Sequence, residues 1–207
     1  MEALNMEILK KPIFDEKKHK YSYDGKQLPS VTTVIKEVLN IQYPDYAIYH
    51  ATRGTFVHKA IELYLNGTLD FSSIDETIKP YLDSFIKFQE KARIEPILLE
   101  ERFADKNITF AGTVDIVGKV KGKTYLFDIK TGHKQDSYKA QMAGYKKLLS
   151  DNGTEIDGIY ILDLKPEYCK AIKIENINKY WGLFESMLNV YWYKLNKTIV
   201  QLDSFAI

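Results

Sequence analysis

Cysteine is all but missing: Cys169 is the single one in 207 residues. One thiol excludes an intramolecular disulfide and any cysteine-rich metal or iron-sulfur site, and it suits a reducing, intracellular setting. No stretch approaches the roughly 20 consecutive apolar residues of a spanning helix, so no membrane span is expected. The amino terminus, MEALNMEILKKPIF, carries Glu2 and Glu7 and lacks a long apolar run. Neither a secretion signal nor a transit peptide is therefore expected. Charge of one sign is also lacking, because 29 Lys and Arg face 28 Asp and Glu for a net charge of +1. That balance names no partner, since a nucleic-acid enzyme can gather its cations on one face and its acids in one site. Internal repeats and low-complexity linkers are absent. What remains, with 45% hydrophobic and 28% charged residues, is the composition of one soluble globular domain with a sizeable core.

The stretch Phe110 to Gly132, FAGTVDIVGKVKGKTYLFDIKTG, organises the rest. It reads as two strands, Phe110 to Val117 and Lys123 to Ile129, joined by a Gly- and Lys-rich turn and paired antiparallel. Side chains alternate along a strand, so Asp128 and Lys130 share one face while Phe127 and Ile129 take the other. A turn near Lys121 and Gly122 sets Asp115 opposite Asp128 to within a residue or two, close enough to share a cation. Converging carboxylates repel unless a positive charge lies between them, and the candidates are Lys130 and a divalent ion. Hard carboxylate oxygens suit magnesium or manganese. The same residues would also fit the solvated positions of an amphipathic hairpin. Against that, Leu126, Phe127 and Ile129 make the second strand apolar on both faces, the pattern of a covered central strand where a lone charge is costly.

Upstream, Lys20 to Pro29 alternates aromatic and polar residues around Asp24-Gly25, a hairpin signature. Ser30 or Thr32 then caps a short helix carrying Val31, Val34, Ile35, Val38 and Leu39, and a free helix start there could also take a phosphate. A second helix spans Pro44 to Gly67, with Ala51, Gly54, His58, Ile61 and Leu65 on one stripe. His58 then faces inward, either as a core histidine with Glu62 as partner or as a ligand. As a ligand it must be neutral, so activity would fall as pH drops below about 6.5. A third helix, about Asp75 to Arg93, turns Ile78, Leu82, Phe85 and Phe88 inward. Pro96 to Ala104 is a strand whose Glu100 and Glu101 point to opposite faces. After the hairpin, a helix from about Asp136 to Ser150 stacks Tyr138, Gln141 and Tyr145 on one face, the polar rim of an amphipathic helix or part of a site. Ile156 to Leu164 and Tyr168 to Ile174 pair as strands around Lys165-Pro166. A last helix, about Asn178 to Leu195, carries Trp181, Phe184, Leu188 and Trp192, with a short tail from Asn196.

Taken in order, His58, an acid near position 100, Asp115, Asp128, Lys130, Gln141 and Tyr145 resemble the site of the PD-(D/E)XK nuclease superfamily, and within it the RecB-like exonucleases. Gly54-Thr55-Phe56-Val57-His58 is similar to the family's G-x-x-x-H helix. Ala111-Gly112-Thr113-Val114-Asp115 is similar to its second motif, Asp128-Ile129-Lys130-Thr131-Gly132 to D-x-K-T-G, and Gln141 to Tyr145 to Q-x-x-x-Y. Pro29-Ser30-Val31-Thr32 resembles the P-S-V-T segment of phage and mitochondrial genome maintenance exonucleases. The cysteines that hold an iron-sulfur cluster in some relatives are absent, and a stand-alone nuclease without a helicase domain is expected.

The resemblance implies an α/β fold with a restriction-endonuclease-like core, a central mixed β-sheet flanked by helices, and an added N-terminal helical region. One nuclease domain over 1–207 is expected, with the hairpin and helices in 1–95, the catalytic sheet in 96–175 and the C-terminal helix and tail in 176–207. It further implies a Mg2+ or Mn2+ site without an iron-sulfur cluster. His58, Asp115, Asp128 and the Ile129 carbonyl would hold one or two ions, Glu100 would assist with Glu101 in reserve, and Lys130 would orient the attacking water. Gln141, Tyr145, Tyr138, Ser30 and Thr32 would position DNA or the site. The expected activity is a DNA exonuclease of recombination, repair or replication, in the cytoplasm of a bacterial or phage-infected cell, acting at ends or on single strands. An endonuclease on the same scaffold and a non-catalytic nucleic-acid-binding module are the competing expectations.

Overall fold

Apolar residues on both faces of adjacent strands build a sheet that must be covered from two sides, and helices cover it. A computed structural model describes residues 11–16, 20–42, 44, 46–132 and 135–203, with only the backbone for 46–48 and 197–203. Its main sheet has five strands in the order β4 (Glu95–Ala104), β5 (Ala111–Val120), β6 (Lys123–Lys130), β7 (Gly158–Leu164) and β8 (Cys169–Lys173). All pairs are antiparallel except β6 and β7, which run parallel. A parallel neighbour needs a crossover, and helix α4 (Ser137–Asp151) provides it. The mixed five-stranded sheet flanked by helices is the α/β architecture expected of a restriction-endonuclease-like core.

One face of the sheet, with Val114, Val117, Leu126 and Ile159, packs against α1 (Val31–Leu39), α4 and α5 (Ile177–Asp203) through Val31, Val34, Met142, Leu148 and Phe184. The other face, with Ile116, Phe127, Ile129 and Leu162, packs against α2 (Tyr46–Leu65) and α3 (Lys79–Ala92) through Val57, Ile61, Leu82 and Phe85. Strand β6 therefore lies at the centre of both cores, and Leu126 and Ile129 are buried there. Truncating either to alanine would cost about 2–5 kcal/mol.

Two tight hairpins set the registers. Val120 pairs with Lys123 across Lys121-Gly122, whose φ angles are 51° and 78°. Tyr23 pairs with Lys26 across Asp24-Gly25, at 45° and 81°. Both are two-residue turns with positive φ at both central positions, where glycine fits freely, aspartate is tolerated and Lys121 is the less usual occupant. Within the N-terminal sheet, β2 (Lys20–Tyr23) and β3 (Lys26–Leu28) are the expected hairpin, and β1 (Ile13–Asp15) adds an edge strand that its three residues had not signalled.

Several expectations need correction. The buried stripe of α2 is Val57, Ala60 and Ile61, while Ala51 is exposed, so His58 stands at the edge of that stripe rather than in its middle. Glu62 pairs with Lys59 at 2.8 Å instead of with His58. Helix α3 begins at Lys79, where Pro80 occupies the first turn, because the Asp75 carboxylate accepts the Thr77 N–H and holds 75–77 as a turn. Helix α5 continues to Asp203, past the expected end near Leu195. The amino-terminal residues Glu2 and Glu7 lie outside the described residues.

Candidate metal centre at the fork of the central strands

The β5–β6 ladder runs from the Lys121-Gly122 turn to Ile116 opposite Phe127 and then stops. One residue further, Asp115 turns its carboxylate into the gap, and its Oδ2 accepts the Ile129 N–H at 2.7 Å. A side chain thus takes the place of the next ladder bond and wedges the strands apart. On the other side, β4 yields too: Leu99 pairs with Ile116 and Glu101 with Val114, while Glu100 adopts φ of 46°. Such a left-handed conformation is unusual for glutamate and marks a position held by its surroundings. Simple alternation along β4 does not describe Glu100 for this reason.

Helix α2 brings His58 into the fork. Its Nε2 is 3.1 Å from the Ile129 carbonyl oxygen, and its Nδ1 is 3.4 Å from Glu100 Oε1 and 3.5 Å from Asp115 Oδ2. In the neutral ring the carbonyl selects the tautomer with the proton on Nε2, which leaves the Nδ1 lone pair facing the two carboxylates. The close seating of α2 depends on Gly54: a Cβ there would stand 3.3 Å from Thr131 Oγ1, tighter than an ordinary contact. One ligand atom each from His58, Glu100 and Asp115 lies within 4.8 Å of the others. An imidazole nitrogen and two carboxylates form a donor set that fits a divalent cation such as magnesium or manganese. Glu101 points elsewhere, to Lys11 at 2.8 Å.

Asp128 and Lys130 project from the same face of β6, and Lys130 Nζ lies 2.6 Å from Asp128 Oδ2. The contact is ionic without hydrogen-bond alignment, so the buried Oδ2 has no aligned donor. Helix α4 covers this pair. Gln141 Nε2 is 3.5 Å from Asp128 Oδ1 and donates to the Tyr145 hydroxyl at 3.0 Å, and the Tyr138 ring lies 4.9 Å from the Lys130 ammonium. Gly112 makes room for Tyr145, whose ring carbon Cε1 would stand 3.0 Å from a Cβ at that position. Ser30 and Thr32 are differently engaged. Ser30 is buried, caps α1 by accepting the Thr33 N–H at 2.9 Å, and bridges to Ala111 at the start of β5. Thr32 is exposed with its hydroxyl 2.9 Å from Ser30 Oγ.

The electrostatics follow from burial and crowding. Burial pulls the His58 pKa down, but Asp115 and Glu100 outweigh it and raise it to about 9. Its transition therefore lies well above the 6.5 expected for an ordinary histidine. Burial raises the Asp128 carboxyl to about 6 against the pull of Lys130. Burial also raises Asp115, and Glu100 adds to the shift. Lys130 is lowered by burial but raised on balance by Asp128 and Asp115, so it stays an ammonium. Burial, with Asp128 and Asp115, pushes the Tyr145 phenol well above its usual value, so it stays protonated as a donor.

Sequence reasoning missed four residues around this centre. The Tyr21 hydroxyl of β2 lies 2.6 Å from Thr113 Oγ1, so the N-terminal sheet leans on β5 two residues before Asp115. Asp163 is buried opposite Lys130 on β7, and Lys165 lies 3.3 Å from it. The available signal was an aspartate amid the apolar run Tyr160 to Leu164.

No family model and no curated protein matches the sequence. Among solved structures, the chain is similar to LHK-Exo, an alkaline exonuclease from Laribacter hongkongensis, in its complex with dAMP. The identity is 16%, over 86% of this chain and 93% of that one, with a TM-score of 0.44. A second structure of that exonuclease aligns at 14% identity over 84% and 94% of the two chains, with a TM-score of 0.38. A protein from Eubacterium rectale, provisionally named an exonuclease, aligns at 9% identity over 83% and 74%, with a TM-score of 0.49.

Proposed function

We propose that this chain, as one domain over residues 1–207, is a divalent-metal-dependent deoxyribonuclease that hydrolyses phosphodiester bonds from DNA ends. The observation that carries this reading is the convergence of His58, Glu100 and Asp115 within 4.8 Å beside the buried Asp128–Lys130 pair. It joins a cation-binding donor set to an ammonium fixed on the neighbouring strand. His58, Asp115, Asp128 and the Ile129 carbonyl would hold magnesium or manganese, with Glu100 beside them. When bound, the ion polarises a phosphate oxygen and lowers the pKa of a water.

The protein groups divide the remaining work. Lys130 orients the attacking water and offsets negative charge on the phosphorus centre, an effect worth a few kcal/mol in a water-poor site. Asp128 holds that ammonium at 2.6 Å, and the Tyr138 ring limits its other excursions. Gln141 and Tyr145 keep the Asp128 carboxylate oriented and present neutral donors to a phosphate. Helices α2 and α4 wall the fork on two sides, which suits a threaded strand better than the middle of a duplex. Single-stranded ends avoid the cost of opening base pairs and offer bases for aromatic stacking. We place the activity in DNA recombination, repair or replication in the cytoplasm of a bacterial or phage-infected cell, in line with the sequence resemblance.

The deciding experiment compares linear and covalently closed single-stranded DNA of one sequence, with magnesium. Linear DNA is degraded to short products while the circle survives. Equal rates on both would end the exonuclease assignment and leave an endonuclease, and cleavage of neither would leave a binding module.

A further inference from the structure

We infer that Lys165, in the turn between β7 and β8, is a positioning residue that clamps the exit of β6 and so aims Lys130. This rests on the nuclease reading of the site. The Lys165 ammonium donates to the Thr131 carbonyl at 3.0 Å and, more closely, to the Gly132 carbonyl, and it lies 3.3 Å from Asp163 Oδ1. Two hydrogen bonds and one ion pair thus engage the group. Thr131 and Gly132 directly follow Lys130, and two charge-assisted bonds fix their peptide planes.

The turn that carries Lys165 is itself anchored. Lys165 N–H donates to the Tyr168 carbonyl at 2.8 Å, and Ser84 of α3 donates its hydroxyl to the Pro166 carbonyl at 2.7 Å. Asp163, buried beside Lys130 in the β6–β7 register, supplies the counter-charge. The clamp therefore runs from α3 through the turn to the backbone just past Lys130. Thr131 also abuts Gly54 of α2. Held by these contacts, the strand end keeps Lys130 on Asp128. His58, Glu100 and Asp115 come from α2, β4 and β5 and have no direct contact with Lys165 among the described hydrogen bonds and ion pairs, although His58 and Asp115 both bond the Ile129 peptide groups.

The test is Lys165→Met, with Lys165→Arg as the conservative variant, read in two independent ways. In hydrogen–deuterium exchange of the metal-free protein, the amides of 131–132 exchange at least tenfold faster in Lys165→Met, while β4 and β5 are unchanged. In nuclease turnover with magnesium, kcat falls about tenfold or more with KM within twofold, and Lys165→Arg recovers most of the loss. Unchanged exchange in 131–132 overturns the clamp whether or not the protein cleaves DNA. Faster exchange with unaltered kcat overturns its role in aiming Lys130. An inactive wild-type protein would instead refute the nuclease reading, together with the positioning role but not the clamp. Should Lys165→Met fail to fold, Lys165→Gln, which keeps one donor group, gives the same pattern in weaker form.

Discussion

Manganese affinity should climb about tenfold per pH unit between roughly 6.5 and 9. The His58 pKa of about 9 means that the metal-free ring is a cation at neutral pH, paired with Asp115 and Glu100. A ligand nitrogen must lose that proton before it can hold an ion. At pH 7 the cost is about two units, or about 2.7 kcal/mol of binding energy, regained as pH approaches 9. Below about pH 6 the raised Asp128 carboxyl adds a second proton and the dependence steepens. The same shifts act on the metal-free fold. Protonated His58 favours folding fully below its ordinary 6.5, and that contribution is lost as pH rises through about 9. Asp128 favours folding while protonated, below its ordinary 3.8, and that contribution is lost as pH rises through about 6. Both lower the melting temperature of the metal-free protein from pH 5 to 9, and the loaded protein should lose less. Calorimetric titration with manganese at pH 6.5, 7.5 and 8.5, in two buffers of different ionisation enthalpy, should count about one proton released at pH 7.5. Equal affinity at pH 6.5 and 8.5 with no proton released would refute His58 as a ligand.

Substitutions should separate the roles within the site. His58→Ala should weaken manganese binding at least tenfold, whereas a purely structural histidine would give an early-melting protein that cuts normally at low temperature. Lys130→Ala should retain manganese binding and lose at least a hundredfold in single-turnover cleavage, and near-normal turnover would reduce the lysine to a charged strand residue. Gly54→Val should push α2 off Thr131, since even a Cβ would stand 3.3 Å from Thr131 Oγ1. It should destabilise the fold by about 1–3 kcal/mol in urea denaturation, and an unchanged midpoint would show that the contact yields freely. Calcium should support DNA binding but little turnover, because it tolerates looser oxygen geometry than magnesium; rapid cleavage in calcium alone would argue against that placement of the reacting groups.

The sheet was legible because its signals are local. The Lys121-Gly122 turn fixes the β5–β6 register, and apolar residues on both faces of β6 require a central strand. Asp128 and Lys130 on one face follow from alternation alone. The fork was not legible, because it arises where alternation fails: Asp115 replaces a ladder bond with its carboxylate, and Glu100 takes a left-handed conformation to meet it. Of the two neighbouring glutamates, Glu100, the one favoured from the resemblance, faces His58, while Glu101 meets Lys11. The stripe on α2 misled for a related reason. Gly54 and His58 lie on helical spacing with Ile61, but they mark the edge that meets Thr131 and the carboxylates, whereas Val57, Ala60 and Ile61 form the buried seam. Lys165 was hidden because a lysine in a Lys-Pro turn has no periodicity, and its partners are backbone carbonyls 33 and 34 residues away.

The most direct test of the metal-dependent cleavage proposed here is an end-labelled single-stranded DNA assay with wild-type protein and Asp128→Ala side by side, each with magnesium and with excess chelator. Wild type should produce short labelled products in magnesium and none in chelator, while Asp128→Ala should lose at least a hundredfold in rate and bind manganese more weakly. Undiminished cleavage in chelator, or by Asp128→Ala, would contradict the assignment of this site.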